Sequence, residues 1–204
     1  RGEVKSGCEI AKKYDVASVC CKPSDVKFCA DLLKGTDVLV GTVVGFPHGT
    51  STTEVKTFET KQAVADGATE IDMVINIGHL KSGLHTEIQA DIKAVVDAAA
   101  GHTVKVILEN AYLTDEEKVT ACKLSEAAGA HYVKTSTGYA PTGASIADIK
   151  LMKASVSPRI KIKSAGGVRT LDSLMEYLDA GISRSGATTT AAMIDEFIER
   201  FGRE

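Results

Sequence analysis

Glu70-Ile71-Asp72-Met73-Val74-Ile75-Asn76 decides the architecture. Side chains on a strand alternate between its two faces. Glu70, Asp72 and Asn76 therefore share one face, and Ile71, Met73 and Ile75 share the other. Lys105-Val106-Ile107-Leu108-Glu109 repeats the pattern, with Lys105, Ile107 and Glu109 on one side. A strand covered by helices on both faces reads as apolar throughout. A Val- and Ile-rich strand with one charged face fits a barrel instead, its polar side inward and its aliphatic side against the helices.

The rest of the chain extends this pattern. Strand-like runs fall at 17–21, 38–46, 70–76, 104–109, 132–136, 160–165 and 181–186, short and bounded by Gly, Pro or Ser. Helical segments lie between them. Thr114-Asp115-Glu116-Glu117 reads as a capping box, and Ser24, Ser145 and Thr170 as further N-caps. Gly67, Gly129 and Gly181 punctuate the returns to the next strand. The repeat of roughly 28 residues suits βα units. One α/β domain is predicted over residues 1–204, a TIM (β/α)8 barrel with chemistry at the C-terminal ends of its strands. The runs number seven, and the chain opens on Arg1-Gly2-Glu3-Val4-Lys5 with a helical pattern through Lys13. The first strand of the barrel is thus expected to be missing from this chain.

A length of 204 residues allows one full core. The net charge of −3 gives no electrostatic reason for nucleic acid or an anionic membrane as partner. Cys8, Cys20, Cys21, Cys29 and Cys122 are odd in number and show no CxxC spacing, which points to a reduced, cytoplasmic setting. The five histidines form no HxxH or HExxH pattern, so no metal and no cofactor is expected.

Two lysines carry the chemistry. Lys134 closes His131-Tyr132-Val133-Lys134 and precedes Thr135-Ser136-Thr137-Gly138. Lys163 closes Ile160-Lys161-Ile162-Lys163 and precedes Ser164-Ala165-Gly166-Gly167. A lysine at the end of a buried strand costs free energy unless it is paired or used. One βα unit apart, the two are expected on neighbouring strands facing one pocket, each cation easing deprotonation of the other. A neutral amine is what a carbonyl-attacking lysine needs. Parity places Asp72 inward, with Glu70 and Lys105 as a supporting layer. Lys161 shares the face of Lys163 but falls earlier, at the lower rim. Cys20 reads as pocket lining and His48 as a loop residue. The glycine turns at Gly166-Gly167 and Ser183-Arg184-Ser185-Gly186 fall where TIM barrels bind phosphate.

Several of these motifs resemble deoxyribose-phosphate aldolases. Tyr132-Val133-Lys134-Thr135-Ser136-Thr137-Gly138 is similar to that family's Schiff-base strand, and Lys161-Ile162-Lys163-Ser164-Ala165-Gly166-Gly167-Val168-Arg169-Thr170 to its second-lysine strand. Glu70 to Gly78 resembles its aspartate strand, and Val43-Val44-Gly45-Phe46-Pro47-His48-Gly49 and Cys20-Cys21-Lys22-Pro23 also match. The resemblance runs from about 18 to 202. It implies a class I aldolase cleaving 2-deoxy-D-ribose 5-phosphate to glyceraldehyde 3-phosphate and acetaldehyde. It implies Lys134 as the Schiff-base residue and Lys163 and Asp72 as proton donors and acceptors. Gly166, Gly167, Ser183, Arg184, Gly186 and Ser136 would contact the substrate and its phosphate. The expected partner is a small-molecule sugar phosphate, and the expected assembly a homo-oligomer, dimer or tetramer. Two features depart from the family. Its opening strand, of Ile-Asp-His-Thr-Leu-Leu type, is absent, and Ser185 stands where members often carry a hydrophobic residue. The alternatives are another Schiff-base aldolase or transaldolase acting on a ketose phosphate, and a non-catalytic phosphate-sugar binding module.

Overall fold

The computed structural model describes residues 1–202. Each of the seven expected runs carries a strand: β1 Ser18–Cys21, β2 Leu39–Val44, β3 Glu70–Val74, β4 Thr103–Ile107, β5 Tyr132–Lys134, β6 Lys161–Ala165 and β7 Arg184–Gly186. They form one parallel sheet in sequential order. Helices α1 Gly2–Tyr14, α2 Val26–Leu33, α3 Thr53–Ala65, α4 Ile77–Lys81, α5 His85–Ala98, α6 Asp115–Ala127, α7 Ile146–Ala154, α8 Leu171–Ala180 and α9 Thr190–Phe201 supply the connections.

The sheet curls until its two edges face each other. Arg184 Nη1 of β7 reaches Ser18 Oγ of β1 at 3.2 Å and Glu70 Oε1 of β3 at 3.1 Å. Outside the sheet, Tyr14 of α1 donates to Asp195 of α9 at 2.8 Å. The result is a seven-stranded TIM-type barrel, with no β1–β7 ladder among the described residues.

Strand parity holds along the wall. Ile71, Met73, Val106, Val133 and Ile162 point outward and are fully buried against Ile88, Ile92, Val95, Cys122, Ile149 and Met152 of the helix layer. Glu70, Asp72, Lys105, Lys134 and Lys163 face inward.

Local signals fix the ends of the elements. Thr114 and Glu117 form the capping box of α6. Ser145 and Thr170 accept from the backbone of residues 148 and 173 and cap α7 and α8. Gly67, Gly129 and Gly181 take φ of 105°, 87° and 114° at the helix exits. Ser24 does not cap α2. Pro23, Ser24 and Asp25 form a 3-10 turn with proline first, and α2 begins one residue later with no side-chain cap. The proline's fixed φ and missing N–H suit the start of that turn. β2 is shorter than its apolar run, because Gly45 turns the chain at φ 60°.

Candidate active site

Strand register brings the two lysines together. Lys134 and Lys163 are direct partners across β5 and β6. The curl of the barrel then presents β3 to both. Asp72 Oδ2 accepts from Lys134 Nζ at 2.8 Å and from Lys163 Nζ at 2.7 Å. Its other oxygen accepts from Lys105 Nζ at 2.9 Å. Below this cluster, Glu70 contacts Lys105 Nζ at 2.9 Å and Arg184 at 3.1 Å. Asp72 is 1% exposed, Lys105 0%, Lys134 6% and Lys163 5%.

Burial by itself would push the Asp72 carboxyl up, but Lys134, Lys163 and Lys105 outweigh it and hold the group far below the usual carboxylate range. Glu70 is likewise lowered, burial being outweighed by Lys105 and Arg184. The expectation that each lysine simply eases deprotonation of the other is corrected for Lys163. Burial would lower its pKa, yet the adjacent Asp72 carboxylate raises it. Asp72 stands between the two cations as a shared counter-ion, which strand parity alone does not reveal. With every group charged, Lys105, Lys134, Lys163 and Arg184 pair with Glu70 and Asp72 alone among the described residues. Such an excess of buried positive charge is costly.

Lys163 opens on a cavity of about 490 Å³ between β1, β7, α8 and α9, bordered by Ser18, Cys20, Arg184 and Gly186 on its polar side. Cys20 lines it as expected. Gly166 and Gly167, at φ 79° and 82°, follow β6 and lead to the start of α8. A glycine turn that leads into a helix start can present backbone N–H groups of the kind that bind anions. Ser136 is fully buried beside this turn, and its Oγ donates to Thr135 Oγ1 at 3.1 Å.

The motif around Ser183 lies differently from the expectation. Residues 184–186 are strand β7 itself rather than the turn after it, and Ser183 N donates to Ile162 O in the ladder below Lys163. Ser183 is exposed and lines the cavity onto which Lys163 opens. Arg184 Nη1 is committed to Glu70 and Ser18 in the supporting layer. Gly186 alone of this motif stands at the strand's C-terminal end, close enough that an added Cβ would lie 3.7 Å from Lys163 Cε.

Lys161 is exposed and its Nζ lies 5.9 Å from the Tyr132 ring centroid, as befits the lower rim. His48 is an exposed loop residue. Sequence reasoning missed Gly143. A Cβ there would fall 2.1 Å from Gly166 O, so only glycine lets the loop after β5 pack on the glycine turn. The Pro141-Thr142-Gly143 sequence marks a turn but gives no sign of that contact. Among the described residues no group of three or more His, Cys, Asp or Glu is placed to hold a metal, and no helix is long and apolar enough to cross a membrane.

A parallel barrel with buried, carboxylate-bridged lysines, Lys134 ending β5 and Lys163 midway along β6, carries the amines that carbonyl chemistry requires. The chain belongs to the DeoC/LacD family aldolases, whose model matches residues 2–195. It is 55% identical to a Staphylococcus epidermidis deoxyribose-phosphate aldolase over 90% of this chain and 84% of that one. It is 51% identical to the Lysinibacillus sphaericus protein of the same name over 96% and 88%. A solved structure described as a tetrameric deoxyribose phosphate aldolase from Aeropyrum pernix superposes with a TM-score of 0.88 at 26% identity, over 96% of this chain and 83% of that one.

Proposed function

We propose that this aldolase reversibly cleaves 2-deoxy-D-ribose 5-phosphate to glyceraldehyde 3-phosphate and acetaldehyde through an imine on Lys134. The observation that carries this is one carboxylate oxygen of Asp72 shared by two lysine amines on neighbouring strands. Neutral Lys134 attacks C1 of the open-chain sugar, and loss of water gives a protonated imine. The C3 hydroxyl gives up its proton as the C2–C3 bond breaks, and the electron pair moves into the imine to form an enamine. Asp72 and Lys163 carry that proton, directly or through water, and return one to C2 of the enamine. Hydrolysis then frees acetaldehyde and Lys134. The backbone at Gly166, Gly167 and Gly186 and the buried Ser136 would hold the phosphate end, so that its binding energy aligns C1 with Lys134. A homo-oligomer is part of this proposal.

Borohydride added with substrate should leave a stable mass on the peptide containing Lys134. Lys134→Ala and Lys134→Arg should abolish cleavage, since arginine stays protonated. Labelling at Lys163 instead would overturn the assignment. Use of a ketose phosphate rather than acetaldehyde as donor would overturn the substrate.

A further inference from the structure

Glu109 has no part in the chemistry above, yet its placement is unusual. It is 2% exposed and follows β4 in the left-handed region, at φ 57° and ψ 63°. Non-glycine residues seldom hold this conformation, and where they do the surrounding structure imposes it, often at a functional site. The backbone on either side is tied to the lysine strand. Leu108 N donates to Lys134 O at 2.9 Å and Asn110 N to Thr135 O at 3.0 Å. The left-handed turn between these two bonds swings the Glu109 side chain to the residue three beyond Lys134. Thr137 N donates to Oε1 at 3.1 Å, and Thr137 Oγ1 donates to Oε2. Thr137 Oγ1 in turn accepts from Tyr139 N at 3.0 Å. Glu109 forms no ion pair among the described residues, although four cations lie inside the same barrel. Its buried carboxyl is met by Thr137 on both oxygens.

We infer that Glu109 is a positioning residue that sets the turn after Lys134. Both carboxylate oxygens grip one residue of that turn while the flanking amides grip its start. The segment from Lys134 to Tyr139 is thereby fixed in direction, and with it the approach of the Lys134 amine to a carbonyl carbon. Catalytic groups gain rate when packing and hydrogen bonds hold them in attack geometry before the substrate arrives. The inference rests on the role proposed for Lys134. Failure of that role would be visible separately, as wild-type protein that takes no borohydride label there.

The left-handed backbone supplies the test. Glycine adopts φ 57° without strain. Glu109→Gly therefore relieves the backbone while deleting the grip, and should lower kcat and the rate of acetaldehyde trapping on Lys134 at least tenfold with little change in melting temperature. A merely structural carboxylate would show the reverse, a lower melting temperature with normal turnover in the folded protein. Glu109→Gln, which keeps one acceptor for Thr137 N–H, should fall between wild type and Glu109→Gly. Thr137→Val should slow trapping to a similar degree, and adding Glu109→Gly to it should cost little more. Normal trapping in Glu109→Gly, or full additivity with Thr137→Val, overturns the inference. If Glu109→Gly does not fold, normal trapping by Thr137→Val overturns it alone.

Discussion

Asp72→Asn removes the shared counter-ion with almost no change in shape. At an effective dielectric near 20, one contact of about 2.8 Å between unit charges is worth about 6 kcal/mol before desolvation is counted. Asp72 makes three such contacts, with Lys163, Lys134 and Lys105. Lys105 keeps Glu70, so the loss falls mainly on the other two. Breaking a buried pair by removing one partner costs about 3–5 kcal/mol net. For a domain of this size that corresponds to a fall in Tm of roughly 6–20 °C. Lys134 and Lys163 would then face each other across β5 and β6, and one of them should give up its proton in the folded state. Between that depressed pKa and the unfolded value near ~10.4, the unfolded chain binds more protons, so the variant gains stability as pH rises. Wild-type Lys163 has a raised pKa. Its contribution is present through neutral pH and is lost as pH climbs past the unfolded value. The gap between the two proteins should therefore be widest near neutrality and should narrow toward pH 10. Urea unfolding followed by circular dichroism at pH 7 and pH 9.5 measures it. Turnover should fall by about 10²–10⁴ through loss of proton transfer. A deficit under about 1 kcal/mol at pH 7, or one unchanged at pH 9.5, would refute the view that Asp72 is the counter-ion on which the lysine cluster rests.

Lys163→Leu leaves Asp72 to hold Lys134 more tightly as a cation, so its pH–rate profile should move to the alkaline side, with partial recovery at high pH; an unmoved profile with normal turnover would show that the lysines are uncoupled. Gly143→Ala should push the Gly166 turn away and raise KM for deoxyribose 5-phosphate roughly tenfold or more, ~1.4 kcal/mol, while KM for unphosphorylated deoxyribose changes little. Ser164 and Ser185 hydrogen-bond at 2.9 Å, and Ser185 borders the cavity among Leu174, Met193 and Ile194. Replacing both, as Ser164→Ala with Ser185→Ile, should stabilise the barrel by about 1–2 kcal/mol by filling apolar space without stranding a hydroxyl, measurable as a higher urea midpoint.

The barrel was readable because a strand's period of two is strict. Glu70 and Asp72 could only share a face, and the aliphatic residues between them could only meet the helices. The adjacency of Lys134 and Lys163 followed from the sequential order of βα units. What Asp72 does was not readable. Its pairing with Lys105 follows from the register of neighbouring strands, but its meeting with Lys134 and Lys163 depends on how far the sheet curls, which sets a distance between strands that are not neighbours. Arg184 escaped for the same reason, since it crosses from one edge of the sheet to β3. Ser24 looked like a cap because serine commonly is one, but the adjacent Pro23 took the first position of a different turn. Glu109 read as one more inward strand residue. Nothing in Leu108-Glu109-Asn110 announces a left-handed backbone at a glutamate.

The facing edges of β1 and β7 give the barrel an uneven resistance to opening. Strands β2 to β6 are laddered on both sides, and their outward residues are sealed under helices. β1 and β7 are laddered on one side only, and across the seam Arg184 reaches Ser18 and Glu70 by side chain. Backbone amides whose bonds open locally exchange with solvent long before those that need global unfolding. In deuterated water the molecule should therefore divide into a slow body that carries Asp72, Lys134 and Lys163, and a fast seam beside the cavity onto which Lys163 opens. In that picture the charged cluster is anchored to the part of the wall expected to open last, and the adjoining cavity lies against the part expected to open first.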